Sequence, residues 1–92
     1  MTRSQVRTVV LDALREAEEA LVGATHDLPD DANPFDAIAG LDSLVTVEVT
    51  TTIYVALGVS DNDKNPFLEH GRGVSVGQVI NDFCSIAGAT EG

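Results

Sequence analysis

The sequence predicts an all-α fold: a four-helix bundle with a long loop between helices 1 and 2 and a short third helix. Three observations predict it. Apolar residues recur at three- and four-residue steps over roughly residues 4–22. Helix-start residues and glycine stops punctuate the chain at Asp42, Gly58, Ser75 and Gly88. The single stretch with strand character has no second strand to pair with.

The first helix is the plainest. Val6, Val9, Val10, Ala13, Leu14, Ala17 and Leu21 make one apolar face, with Arg7, Arg15, Glu16, Glu18 and Glu19 on the other sides. Ser4 is its expected cap and Gly23 its stop. Residues 23–41 then read as loop, rich in Gly, Asp, Pro and Asn. Within them Asn33-Pro34 caps a short helical turn through Ala39, because proline suits the first helical position. A loop this long in a small domain is a functional segment or a crossover between helices.

Residues 45–55 pull the other way. Val45, Val47, Val49, Ile53 and Val55 alternate in a β-branched run, and local propensity alone favours a strand. Helix is nevertheless the reading for residues 43–57, since a lone strand in a helical chain would be unpaired. As a helix the stretch carries two apolar stripes. Val49, Ile53 and Leu57, with Thr46 and Thr50, suit the core. Leu44, Val47, Thr51 and Val55 are left for a partner or for solvent.

Gly58 ends that helix, and Ser60–Asn65 reads as polar loop. Asn65-Pro66-Phe67-Leu68-Glu69-His70-Gly71 reads as the short third helix, with the capping chemistry of Asn33-Pro34-Phe35 repeated. Ser75 and Gln78 form a capping box for the last helix, which turns Val79, Ile80, Phe83, Ile86 and Ala87 inward. Gly88 closes it, and residues 89–92 are expected to be a disordered tail.

Composition bounds the function. Ninety-two residues make one domain, 1–92, with a small core. Fifteen acidic residues face five basic ones, for a net charge of −10. Nucleic acid needs the opposite sign, so it is excluded as a partner. Five aspartates and no Lys or Arg fall between residues 23 and 43. No apolar run reaches membrane-span length and no segment resembles a signal peptide, so a soluble cytoplasmic domain without a membrane partner is expected. Cys84 is the sole cysteine and reads as a small buried hydrophobe.

Two chemistries fail on spacing. Asp61-x-Asp63-x-Asn65 begins like a calcium loop, but Pro66 stands where glycine is needed and Arg72 where glutamate is needed. Ser43 lies on no Gly-x-Ser-x-Gly elbow, and His26 and His70 fall in loops or loop edges. No metal-ligand spacing links Cys84, His26 and His70. The chain is not read as an enzyme.

Gly40-Leu41-Asp42-Ser43-Leu44 is the informative stretch. Asp42 is a good N-cap, and Ser43 then falls at the first helical position, beside the free amides and positive dipole end that favour an anion. The bland alternative is a helix-start serine without function. The triplet Asp42-Ser43-Leu44 resembles the attachment site of acyl carrier proteins, whose serine bears 4′-phosphopantetheine. The likeness extends along the chain. Gly58 in Leu57-Gly58-Val59 follows Leu44 by fourteen residues, close to the family's glycine at the end of its second helix. Phe35 and Ile38 precede the motif where the family has apolar residues, and Val74-Ser75-Val76-Gly77-Gln78 is similar to the family's approach to the last helix.

The resemblance implies an acyl-carrier-like bundle with 4′-phosphopantetheine attached covalently to Ser43, and Asp42 helping to hold magnesium and phosphate during attachment. It implies a phosphopantetheinyl transferase, an acyl-loading ligase or transferase, and downstream biosynthetic enzymes as partners of a monomeric phosphoprotein carrying a thioester. Leu44, Val47, Glu48 and Thr51 would face those partners. The family's fatty acid biosynthesis members have a second helix rich in acids, whereas here Glu48 is its one acid and Tyr54-Val55-Ala56 replaces the usual acidic run. A specialised lipid, polyketide biosynthesis or aminoacyl role fits that departure better. The alternative is a carrier-like interaction domain without cofactor.

Overall fold

The structure is a computed structural model and describes residues 1–59 and 63–90. It is mostly helical, with a small two-stranded hairpin. The elements run α1 (Arg3–Val22), α2 (Pro34–Ala37), α3 (Ser43–Leu57), β1 (Leu68–Glu69), β2 (Arg72–Gly73) and α4 (Val76–Ala87). A Cα radius of gyration of 12.1 Å is that of a compact domain of this length, about 12 Å. No helix among the described residues is long and apolar enough to cross a membrane.

The long first helix α1 packs against both α3 and α4. Its Val6, Val10 and Leu14 are fully buried, as the periodicity predicts, but Leu21 remains 41% exposed. The cap is Thr2 and not Ser4: Thr2 Oγ1 accepts from the Gln5 amide at 3.2 Å and Gln5 Oε1 accepts from the Thr2 amide at 2.8 Å. The Thr-x-x-Gln spacing makes this reciprocal box available two residues before a Ser4 cap. Glu18, expected on the solvent side, is buried. Its carboxylate accepts from the His26 backbone amide at 3.0 Å and lies 2.6 Å from His26 Nδ1.

Against its propensity, α3 is helical over Ser43–Leu57. Nine of its fifteen residues are β-branched, a penalty of roughly 4 kcal/mol relative to alanine. Burial decides the contest. Val49, Ile53 and Tyr54 are all at least nine-tenths buried, and three such side chains contribute about 5 kcal/mol or more. Thr46, Thr51 and Thr52 satisfy their hydroxyls on the carbonyls of Ser43, Val47 and Glu48 in the preceding turn, at 2.8–3.1 Å. Tyr54 and Phe67 each meet Phe83 edge-on, with centroids 5.4 and 6.0 Å apart. Burial, with the nearby Asp63 carboxylate as a smaller cause, raises the Tyr54 phenol above its usual range.

The expected short third helix at residues 65–71 is not a helix. Asn65 does cap a turn, its Oδ1 accepting from the Phe67 amide at 3.0 Å. The chain then enters an antiparallel hairpin in which Leu68 pairs with Gly73 and Glu69 with Arg72. His70 and Gly71 both have positive φ, 51° and 77°, the signature of a two-residue type I′ turn that reverses a hairpin and would break a helix. A side chain at Gly73 would force Phe35 and Asn33 to shift, since a Cβ there would lie 2.5 Å from Phe35 Cδ2 and 2.7 Å from Asn33 Oδ1. The hairpin is thereby seated on the loop that carries α2. Asn33 caps α2 as expected, accepting from the Phe35 amide at 3.0 Å.

Ser75 caps α4, accepting from the Gln78 amide at 3.2 Å, while the Gln78 side-chain amide donates onward to Asp82. The first amides of α4 are taken by the long loop: Val76 donates to the Ala32 carbonyl and Gly77 to that of Asp30, each at 2.8 Å. Val76, Val79, Ile80 and Phe83 are fully buried. Cys84 is half-buried instead of buried, and its sulfur accepts from Arg3 at 3.8 Å. Residues 89 and 90 of the expected tail hydrogen-bond to the rest of the chain. The Arg3 amide donates to the Thr90 carbonyl at 2.8 Å and the Thr90 amide to that of Met1 at 3.0 Å, so both chain ends are bridged. Residues 91–92 of the expected tail, and Ser60, Asp61 and Asn62 of the expected polar loop, lie outside the described residues.

Candidate functional site

The turn before α3 is fixed from below. Ile38 and Leu41 are buried, and the Leu41 amide donates to the Ile38 carbonyl at 3.2 Å. Gly40 between them has φ 84°, a conformation that favours glycine. The chain leaves this anchor extended at Asp42, with φ −134° and ψ −179°. Asp42 Oδ1 accepts from the Val45 amide at 2.9 Å, and its carbonyl accepts from the Thr46 amide at 3.0 Å. The cap is therefore the expected one.

Ser43 is the first residue of α3 and is exposed. The amides of Ser43 and Leu44 have no acceptor among the described residues. Two free donors and the positive end of a fifteen-residue helix lie at this position, an arrangement that stabilises an anionic ester. Among the described residues no side chain is recorded in a hydrogen bond or ion pair with the Ser43 hydroxyl. The His26 ring is held by Glu18, and His70 sits in the hairpin turn. Among the described residues no group of three or more His, Cys, Asp or Glu could hold a metal ion.

Leu44, Val47 and Val55 are 73%, 53% and 76% exposed, and Thr51 and Glu48 are also exposed. The spacing of Leu44, Val47, Thr51 and Val55 puts them on one outer face of α3, as the two-stripe reading expects. Glu48 stands at the edge of that face.

Two features escape a reading of the sequence. A groove of about 250 Å³ runs along the seam between α1 and α3, lined by Ala17, Ala20, Leu21, Val45 and Val49 with Glu16 and Glu48 beside them. Its existence depends on which faces the two helices present to each other, and no local pattern encodes that. The second feature is charge. The acids of the long loop are partly paired with α1: Arg7 grips Asp30 through both nitrogens, and Arg15 lies 3.8 Å from Asp27. The bond from Arg7 holds the Asp30 carboxyl below the usual carboxylate range. Asp31 and Asp36 remain without an ion-pair partner among the described residues.

The chain matches no protein-family model, no curated protein and no solved structure. Its function is read from the site itself.

Proposed function

We propose that this protein is a discrete, specialised acyl carrier whose Ser43 accepts 4′-phosphopantetheine. The observation that carries the reading is the exposed Ser43 at the first position of α3, behind the Asp42 cap, within Gly-Leu-Asp-Ser-Leu. The helical class of the fold supports it. So do the two free amides at the start of α3, which suit the oxygens of a phosphodiester. Asp42 commits Oδ1 to the cap, and its second oxygen suits a magnesium ion held together with phosphate.

Attachment requires a partner enzyme. Ser43 Oγ attacks the phosphorus that joins pantetheine to the nucleotide in coenzyme A. A new Oγ–P bond forms as the P–O bond to the departing 3′,5′-bisphosphate nucleotide breaks. The serine proton passes to a base on the phosphopantetheinyl transferase, since no described residue of this chain is paired with the Ser43 hydroxyl. On Ser43 the cofactor supplies a terminal thiol, which holds an acyl or aminoacyl intermediate as a thioester. The role of this chain is to present that group, and the chain is no enzyme.

The exposed face of Leu44, Val47 and Val55 suits docking of the transferase, the loading ligase or transferase, and later enzymes. The low acid content of α3 favours a specialised pathway over housekeeping fatty acid synthesis. A cytoplasmic monomer completes the reading. A second reading, an interaction domain that uses the same face with no cofactor, is favoured by the fact that the face needs no modification to exist. Intact mass after incubation with coenzyme A, magnesium and a broad-specificity transferase separates them: the carrier gains one pantetheine-phosphate group, and the interaction domain gains none.

A further inference from the structure

Arg7, Leu11 and Arg15 recur at four-residue steps along one flank of α1. Helical spacing puts them on the opposite side of α1 from Ala13, Ala17 and Ala20, which face the groove beside α3. The start of the long loop folds back against this flank and closes a second cleft. It measures about 200 Å³ and is lined by Arg7, Leu11, Arg15, His26, Asp27 and Leu28. Two of the chain's five Lys and Arg residues therefore line one small cleft in an acidic protein.

The two arginines differ. Arg7 commits two nitrogens to Asp30. Arg15 lies 3.6 Å from Asp12 and 3.8 Å from Asp27, beyond hydrogen-bond reach, and makes no hydrogen bond to another described residue. Its planar fork is left to grip an anion with two donors at once. Asp27 is fully exposed and reaches Arg15 only through this long contact. A carboxylate thus stands at the guanidinium without bonding it, where a better-fitting anion could displace it.

His26 is held from behind. Buried Glu18 accepts from its backbone amide at 3.0 Å and lies 2.6 Å from its Nδ1. With Nδ1 committed, Nε2 is the ring nitrogen left for a ligand, and the two-point hold lowers the cost of ordering the ring. Nε2 accepts a hydrogen bond when the ring is neutral and donates one when it is charged. A carboxylate or sulfate suits only the charged ring. A phosphate monoester suits both, because its monoanion keeps a P–OH that donates and its dianion only accepts. The cleft of about 200 Å³ holds about six non-hydrogen atoms at roughly 30 Å³ each. That is a phosphate group and its first carbon, with Leu11 and Leu28 as the apolar walls.

We infer that this cleft binds a small phosphate monoester, with Arg15 gripping two oxygens, His26 Nε2 bonding a third and the ester carbon against Leu11 and Leu28. The site shares no residue with the Ser43 motif and stands or falls independently of the carrier reading. The net charge of −10 repels any anion, so binding should be weak, in the millimolar range, and should weaken further with salt.

The test follows amide chemical shifts of the full chain during titration with methyl phosphate, at fixed pH and with ionic strength held constant by sodium chloride. Saturable shifts are expected at Leu11, Arg15, His26 and Leu28. Acetate and sulfate should bind about threefold more weakly or worse. Arg15→Gln should weaken methyl phosphate binding about fivefold or more, and His26→Ala should weaken it to a smaller extent. Asp27→Asn removes the competing carboxylate and should tighten binding about twofold. Arg72→Gln removes a cation from the hairpin, away from the cleft, and should leave the affinity unchanged. Circular dichroism verifies that each variant remains folded. Shifts that never saturate, equal affinity for acetate or sulfate, binding that survives Arg15→Gln or His26→Ala unchanged, or weaker binding by Asp27→Asn would overturn the inference.

Discussion

The side-chain amide of Asn65 donates to the Thr46 hydroxyl at 3.1 Å. Its Oδ1 accepts from Thr50 at 3.3 Å and from the Phe67 amide at 3.0 Å. One residue of the connecting segment therefore satisfies two buried threonines of α3, the nearer of which bonds back to the Ser43 carbonyl at 2.8 Å. Asn65→Ala should cost about 1–3 kcal/mol, because it leaves buried hydroxyls short of partners. Urea denaturation measures the loss. Faster hydrogen exchange at the amides of the first two turns of α3 would accompany it.

Helicity of α3 rests on burial outweighing propensity. Ile53 is fully buried, so Ile53→Ala should destabilise by about 2–5 kcal/mol. Thr52→Ala replaces an exposed β-branched residue and should leave stability within about 0.5 kcal/mol or raise it slightly. Equal costs for the two would mean that burial is not what holds the helix.

The outer stripe should matter for recognition and not for folding. Val47 is 53% exposed, so Val47→Asp should change stability by no more than about 0.5 kcal/mol. It should raise the transferase KM about fivefold or more, roughly 1 kcal/mol, by placing a charge in an apolar contact. Steady-state kinetics with the apo-protein as variable substrate checks it. Charge reversal at Asp31, which has no ion-pair partner among the described residues, should alter the salt dependence of that KM, whereas charge reversal at Asp30 also breaks a contact with Arg7.

Asp30 gives a pH signature of known sign. Its carboxyl is held below the usual value, chiefly by the hydrogen bond from Arg7. The stability it adds is present above the unfolded pKa, near 3.9, and is lost as pH falls through the lower folded value. The stability difference between wild type and Asp30→Asn should therefore be constant near neutrality and shrink below about pH 4. Both side chains are substantially exposed, so the difference should stay small. A difference that grew on acidification would contradict the pairing.

Most of the helical layout was legible in the residues, because caps and stops are local. Asp42, Asn33, Ser75, Gly23, Gly58 and Gly88 act where their chemistry placed them. The second apolar stripe of α3 was legible too, since helical spacing alone separates it from the core side. The hairpin at 68–73 was hidden behind the Asn-Pro capping signal at its start, although His70-Gly71 carries the positive φ that betrays a turn. Glu18 looked exposed because its partner His26 comes from the loop eight residues on. The groove required knowing how α1 and α3 meet. At the site, Asp42 and Ser43 stand as the motif suggests, while the pairing of the loop acids with Arg7 and Arg15 depended on where the loop folds back.

The most direct measurement is the intact mass of the apo-protein before and after incubation with coenzyme A, magnesium and a phosphopantetheinyl transferase, followed by peptide mapping. The carrier reading predicts a single pantetheine-phosphate adduct on Ser43 in the wild type and none on Ser43→Ala. On that reading Asp42→Ala should slow the reaction, through loss of the cap and of the oxygen proposed to face magnesium. A wild type that stays unmodified with a transferase active on a control carrier, or a Ser43→Ala variant that still gains the group, would contradict it.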